Sequence, residues 1–303
     1  MTNYLICIVG ATAIGKTALS IQLAQHFNTE IISCDSRQFY KEMSIGTAVP
    51  SKEELVAAKH HFIQNRSIFD NYSVGQFEKD ALKKLDELFK THNIVVMVGG
   101  SGLYTNAVIN GLDYFPEVST DIRENLNKEI EDGNIQQLQN KLKELDEESY
   151  YSIEIDNPHR LIRALEICIG TGKTYSSFKN KPKAKRNFTP IKIGLTADRE
   201  IMYNRINQRV DIMMENGLLE EAENLYKHKN LNALQTVGYR ELFEYFSGNC
   251  TLDFAISEIK KNTRRFAKRQ VTWNKKDKDI LWVDFQTQIS KILTKITCIL
   301  NLE

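Results

Sequence analysis

The clearest chemical potential lies in Gly10, Ala11, Thr12, Ala13, Ile14, Gly15, Lys16 and Thr17, which read GATAIGKT. This is the spacing of a phosphate-binding loop. Glycines let the backbone curl until successive amides point inward at phosphate oxygens. A helix that starts there aims its positive end at the same spot. Lys16 adds a mobile charge, and the Thr17 hydroxyl can ligate Mg²⁺. The motif by itself does not choose between ATP and another diphosphate. Two further positions bear on that choice. The apolar run IVVMV ends in Gly99-Gly100-Ser101-Gly102, where a P-loop ATPase usually carries a metal-holding Asp. Asp35 follows the apolar IISC, at the carboxyl end of a strand expected to neighbour the first, which is the edge where open α/β sheets bind ligands. From there Asp35 can take a proton from an acceptor facing the bound phosphates. As alternatives, Asp35 and Ser101 can each serve as a turn or helix cap.

The elements that must position these groups follow from periodicity. YLICIVG before the loop reads as a buried strand, and Leu19, Leu23, Ala24 and Phe27 after it have helical spacing. EIISC and NIVVMVGG read as two more strands, with the amphipathic EKDALKKLDELFK between them. Strand alternating with helix is the rhythm of a parallel α/β sheet. After Pro116 the composition changes. Residues 117–156 hold twelve acidic side chains against four basic ones, and the pattern turns helical. NPHRLIRALEICIGTGK predicts a helix opened by Pro158 and closed by Gly170 or Gly172. The basic, proline-punctuated stretch 179–190 predicts a loop, and IKIGLTA a return to strand. A helical insertion over 116–189 inside an α/β core formed by 1–115 and 190–303 is the simplest division. Two helices separated near Gly217 are expected next, then a long helix with Leu252, Ala255, Ile259 and Phe266 on one face, and a last strand in ILWVDF.

The 303 residues carry 42% hydrophobic and 26% charged side chains with a formal net charge of +1, as in soluble globular proteins. The total charge therefore says nothing about an anionic partner. Its distribution says more: between Lys260 and Lys278 nine residues are Lys or Arg, and Asp277 is the only acid. Arg264, Arg265, Lys268 and Arg269 fall on neighbouring turns, a stripe suited to phosphate backbones. No apolar stretch reaches the roughly 18 residues a membrane span needs. Five cysteines without a C-x-x-C pair suit neither a disulfide framework nor a zinc site, and predict reduced, mostly buried thiols in a cytoplasmic chain. On spacing alone, a small-molecule kinase and a nucleotide-regulated RNA-binding module both stay open.

GATAIGKT, SCDSRQFYKEMSIGTAVPS, VGGSGLY, NPHRLIRALEI, GLLEEAENL and QTVGYREL stand in the order and context of bacterial tRNA dimethylallyltransferases, also called tRNA isopentenyltransferases. The chain resembles that family from the loop to about Trp273. The resemblance implies a P-loop NTPase-like fold with an inserted helical domain. It also implies transfer of a dimethylallyl group from its diphosphate to N6 of adenosine 37, in tRNAs that read codons starting with U. The loop would then grip a leaving diphosphate. Such loops carry an ATP-binding label by motif, yet the family needs no ATP for transfer. In the same terms Asp35 is the general base, Arg209 and Lys16 stabilise the leaving group with Mg²⁺ on Thr17, and Ser101 contacts substrate. The implied tRNA contacts are Asp35, Ser36, Arg37 and Gln38, Ser101, Arg123, and His159, Arg160, Leu161, Ile162 and Arg163. They continue through Gln235, Thr236, Val237, Gly238, Tyr239 and Arg240, with Arg264 and Arg265 expected on the anticodon stem. A monomer is implied. The sequence departs from the family's pattern at Ala11, Ile14 and Ser101, where Pro, Ser and Thr are usual. The first two are loop positions whose amides matter more than their side chains, and Ser101 keeps a hydroxyl.

Overall fold

A computed structural model describes residues 2–181 and 185–300. It forms two compact units, Met1–Asn110 with Arg186–Glu303, and Gly111–Lys185. These edges differ from the 116–189 read in the sequence for identifiable reasons. Phe115 stacks on Tyr175 within the second unit, with ring centroids 4.7 Å apart. Arg186 is tied into the first unit through the carbonyls of Ala107 and Val108 and the Glu78 carboxylate. The loop expected over 179–190 includes residues 182–184, which lie outside the described ones.

The first unit is built on six parallel strands: β1 (Tyr4–Gly10), β2 (Ile31–Ser33), β3 (His60–His61), β4 (Ile94–Val98), β5 (Thr189–Thr196) and β6 (Leu281–Asp284). Their order is β3-β2-β4-β1-β5-β6. β1 is wholly buried, and its side chains alternate between two cores, as the two-residue period of a strand requires. Ile6 and Ile8 pack with Val96, Leu19 and Leu23 on one face. Leu5 and Cys7 pack with Ile32, Val95, Phe77 and Leu85 on the other. Among the helices covering these faces are α1 (Lys16–His26), α3 (Val74–Leu88) and α4 (Gly102–Asn110), and the short α2 (Lys52–Ala57), which buries none of its residues, lies against α1. α3 starts at a reciprocal cap between Ser73 and Gln76, which satisfies two of its free amide groups. The sequence placed β2 beside β1. In the structure β4 lies between them, pairing with both, so the loop after β4 separates the phosphate loop from Asp35.

The second unit is helical: α5 (Thr120–Glu131), α6 (Ile135–Leu145), α7 (Glu147–Ser152) and α8 (Pro158–Thr171). Asn157 caps α8 and Gly172, at φ 66°, ends it. Leu126, Leu138, Leu142, Leu161, Ile162 and Leu165 form its core. Leu161 and Ile162 are therefore packing residues, and the expectation that their side chains meet tRNA is corrected: both point into that core.

The first unit is completed by α9 (Arg199–Glu215), α10 (Leu218–Leu225), α11 (Tyr239–Phe246), α12 (Leu252–Asn274) and α13 (Ile289–Leu300). Gly217, at φ 96°, breaks α9 from α10. On α12 the buried face is Ala255, Ile259, Ala267 and Gln270, and Phe266 is 39% exposed. The face read in the sequence drifts because α12 changes partners. Its first half packs in the cluster with α10 and α11, and Ala267 packs on Ala11, Ala13 and Ile206. All five cysteines are free. Cys7, Cys34 and Cys168 are buried, but Cys298 is exposed on α13, which buries only Ile292 and Ile296.

Candidate active site

The phosphate loop joins β1 to α1. Gly10 has φ 142°, and a Cβ there would lie 2.7 Å from the Leu195 carbonyl oxygen, so only glycine fits against β5. Ala13 and Gly15 also have positive φ, 63° and 108°, which turns the chain around its own amides. Lys16 Nζ donates to the Ala11 carbonyl at 2.8 Å. Burial pulls the ammonium down to about 8, against the upward pull of Asp35 and with a further push down from Arg209. Arg209 on α9 is itself lowered by burial and by Arg205. Its guanidinium donates to Thr12 Oγ1 at 3.4 Å, and Arg205 Nε donates to the Ala13 carbonyl at 2.8 Å. Two cations are thus held in a desolvated place where they repel, and an anion between them relieves the repulsion.

Across this loop lies Asp35, after β2. Gly99 and Gly100, after β4, fill the gap between the two. A Cβ on Gly99 would stand 2.5 Å from Cys34 Sγ. One on Gly100 would stand 2.5 Å from Gln270 Nε2 and 3.5 Å from Asp35 Oδ2. A side chain at Gly99 would run into the Cys34 backbone, and one at Gly100 would have to displace the Gln270 amide. Ser101 Oγ accepts from the Ser36 amide at 3.2 Å and lies 3.0 Å from Ser36 Oγ. The Arg37 amide donates to Asp35 Oδ1 at 3.1 Å, which leaves Oδ2 toward Gly100. Gln270 links the two sides: its Oε1 accepts from the Thr12 amide at 2.8 Å, and its Nε2 donates to the Gly100 carbonyl at 2.9 Å.

These groups open on one cavity of about 540 Å³. Thr12, Asp35, Ser101 and Arg209 line it together, and Tyr104, Met213, Phe266 and Trp273 supply apolar wall. Residues 35–37, 46–48 and 235–238 also line it. Arg37 and Gln38, both expected to meet RNA, spend their side chains on this architecture. The Arg37 guanidinium donates to the carbonyls of Asn232, Ala233 and Gln235. Gln38 Nε2 donates to those of Thr47 and Ala48. Tyr239 is fully buried with its hydroxyl on Glu221, so its side chain is also corrected from contact to scaffold. Gln235, Thr236, Val237, Gly238 and Arg240 do face the cavity.

The remaining expected tRNA contacts are distributed over both units. In the helical unit His159 and Arg160 are exposed, and Arg160 pairs with Glu154 at 3.1 Å. Arg123 and Arg163 both pair with Glu166, which is only 3% exposed, and Arg163 lies 5.2 Å from the Phe115 ring centre. In the first unit Arg265 is exposed, and Arg264 donates to Asn207 Oδ1 at 2.7 Å. Sequence reasoning passed over Gln270, Trp273, Arg205 and Glu221. For Gln270 a signal existed: it is a polar residue on the stripe that otherwise buries Ala255, Ile259 and Ala267.

Residues 38–277 match the family model described as IPP transferase. The tRNA dimethylallyltransferase of Flavobacterium psychrophilum is 61% identical, over 97% of this chain and 98% of its own length. Among solved structures, the full-length tRNA isopentenylpyrophosphate transferase of Bacillus halodurans superposes with a TM-score of 0.72 at 36% identity, covering 99% of this chain and 96% of its own. A eukaryotic dimethylallyltransferase captured acting on tRNA superposes with a TM-score of 0.80 at 28% identity, over 95% of this chain and 75% of its own.

Proposed function

The chain belongs to the tRNA dimethylallyltransferase family, and from that premise we propose how its residues divide the work of prenylating tRNA. The acceptor is N6 of adenosine 37, in tRNAs reading codons that begin with U, and the donor is dimethylallyl diphosphate. The loop of Gly10, Ala11, Thr12, Ala13, Ile14, Gly15, Lys16 and Thr17 cradles the diphosphate, with the Lys16 ammonium and Arg209 guanidinium on its oxygens, while the Thr12 amide keeps its bond to Gln270. The five-carbon chain lies against the apolar wall of the cavity. An adenine unstacked from a single-stranded loop enters from the side of residues 46–48 and 235–238.

In the transfer step the N6 lone pair attacks the allylic carbon. The C–N bond forms, the C–O bond breaks, and diphosphate leaves with the bonding pair. Asp35 accepts the N6 proton as the nitrogen becomes cationic. Charge grows on the diphosphate, so the donors around it act more strongly in the transition state than before it. Ser101, bonded to Ser36, holds the acceptor side of Asp35. Mg²⁺ fits the donors present. The Thr17 hydroxyl at the start of α1 and the substrate's own oxygens are hard ligands, and Mg²⁺ keeps most of its waters. When bound, it neutralises charge on the diphosphate. Arg123, His159, Arg160, Arg163, Arg264 and Arg265 supply backbone contacts to the RNA. No helix among the described residues is long and apolar enough to cross a membrane, and the protein is read as acting on its tRNA as a monomer.

The observation that carries this assignment is the single cavity lined together by Thr12 of the phosphate loop, Asp35, Ser101 and Arg209. Its test is incubation with Mg²⁺, labelled dimethylallyl diphosphate and unmodified tRNA carrying A36-A37-A38. Label is expected on A37 without ATP. Label-free RNA, with ATP consumed on a small acceptor, would overturn it.

A further inference from the structure

GLLEE, at the start of α10, has no part in the mechanism above, yet one of its carboxylates is bound more completely than any catalytic group. Glu221 Oε2 accepts from the amides of Ser44 at 2.9 Å and Ile45 at 2.8 Å. Its Oε1 accepts from the Gly46 amide at 2.9 Å and the Tyr239 hydroxyl at 2.6 Å. Three successive amides curl around one carboxylate, as they do around anions in backbone nests. The fourth donor comes from α11, immediately after Gly238. Burial and the Glu221 charge hold the Tyr239 phenol far above its ordinary range, so it donates throughout the working pH range. The Tyr239 ring lies so close to Gly46 that a Cβ there would meet it at 2.6 Å.

We propose that Glu221 is the positioning residue of the acceptor wall: it fixes the segment 44–48 against the 235–238 segment and so sets the pocket in which the target base stands opposite Asp35. Residues 46–48 and 235–238 line the cavity directly, and Glu221 is bonded to the first of these segments and to the residue that follows the second. Gln38 closes the same segment from the other side through the Thr47 and Ala48 carbonyls. The phosphate loop takes no part in this network; its own ties run to Gln270, Arg205 and Arg209. Loss of Glu221 therefore loosens the acceptor and leaves the donor in place.

The proposal rests on tRNA prenylation, and transfer by the parent protein tests that premise separately in the same assay. Glu221→Gln keeps shape but sets an NH₂ against two donors. Single-turnover transfer at saturating dimethylallyl diphosphate and tRNA is expected to fall roughly 10- to 100-fold, the scale for a misplaced reacting group. Dimethylallyl diphosphate affinity stays within about twofold. Glu221→Asp, which keeps two acceptor oxygens, restores part of the rate, and Tyr239→Phe, which removes one donor of the four, loses less. A Glu221→Gln protein that transfers at the parent rate overturns the proposal, as does equal loss of rate and diphosphate affinity. If Glu221→Gln does not fold, Tyr239→Phe decides: a rate loss with unchanged diphosphate affinity supports it, and parent behaviour overturns it.

Discussion

The two sides of the cavity are built by opposite means. The side proposed for the diphosphate is one continuous stretch from Gly10 to Thr17, shaped by backbone angles at Gly10, Ala13 and Gly15, and it reaches the cavity through Thr12. The side proposed for the acceptor joins 35–38, 44–48 and 235–238, segments that lie about two hundred positions apart at the extremes, through the side chains of Arg37, Gln38 and Glu221. A diphosphate offers the same oxygens in every turnover, and a fixed array of amides suits it. A base drawn from an RNA loop must be met by a surface assembled around its shape. Asp35 belongs to both sides, because β4 and its glycine pair hold it across from the loop.

That division sets the order of the expected effects. Asp35→Asn should separate the sides most sharply. The chemical step is expected to fall about 10²- to 10⁴-fold, the usual worth of a general base, with dimethylallyl diphosphate affinity nearly unchanged. Rapid-quench kinetics beside equilibrium binding checks this, and equal losses in both would show that Asp35 serves the donor instead.

Lys16→Met should do the reverse, raising the dimethylallyl diphosphate KM by about two orders of magnitude. It also carries a stability signature. The folded protein holds Lys16 near 8, below the 10.5 of an unhindered lysine. Between those values the unfolded chain binds more protons, so the parent gains stability as pH rises across that window, and below about 8 the full cost of the buried charge remains. Lys16→Met should erase the slope and stabilise the ligand-free protein by about 3 kcal/mol at neutral pH. Denaturant melts from pH 7 to 10.5 read this directly. In the parent, kcat/KM for dimethylallyl diphosphate should decline above pH 8, as the free enzyme loses the Lys16 proton.

The smallest effect is expected from the exposed basic stripe. Arg264→Ala with Arg265→Ala should raise the tRNA KM severalfold and flatten its salt dependence by about one to two contacts, with kcat unchanged. An unaltered salt slope would remove this stripe from the RNA surface.

The same contrast explains what the sequence made legible. The phosphate loop is local and needs particular residue types, so GATAIGKT announced its element and its conformation at once, though not which diphosphate it would take. The alternation of strands and helices announced the sheet, but the strand order did not follow, because both β1 and β4 are continuous apolar runs and nothing local says which one neighbours β2. Leu161 and Ile162 came into the expected contacts with the whole HRLIR segment that the family resemblance implied, yet helical spacing turns them into the core of their unit. Arg37 and Gln38 were legible as important polar residues, but not as braces for segments 232–235 and 47–48. Their partners are backbone carbonyls, which leave no trace in residue type. Glu221 shows the same limit at greater range: its amide partners lie more than 170 positions away.

In the proposed reaction the loop holds a leaving diphosphate whose carbon end faces Asp35. A crystal structure with a non-reactive thiolo analogue of dimethylallyl diphosphate tests it most directly. The account predicts diphosphate oxygens on the loop amides, Lys16 and Arg209, with the allylic carbon turned toward Asp35 Oδ2 beside Gly100. Diphosphate bound elsewhere, or a hydrocarbon chain directed away from Asp35, would contradict it.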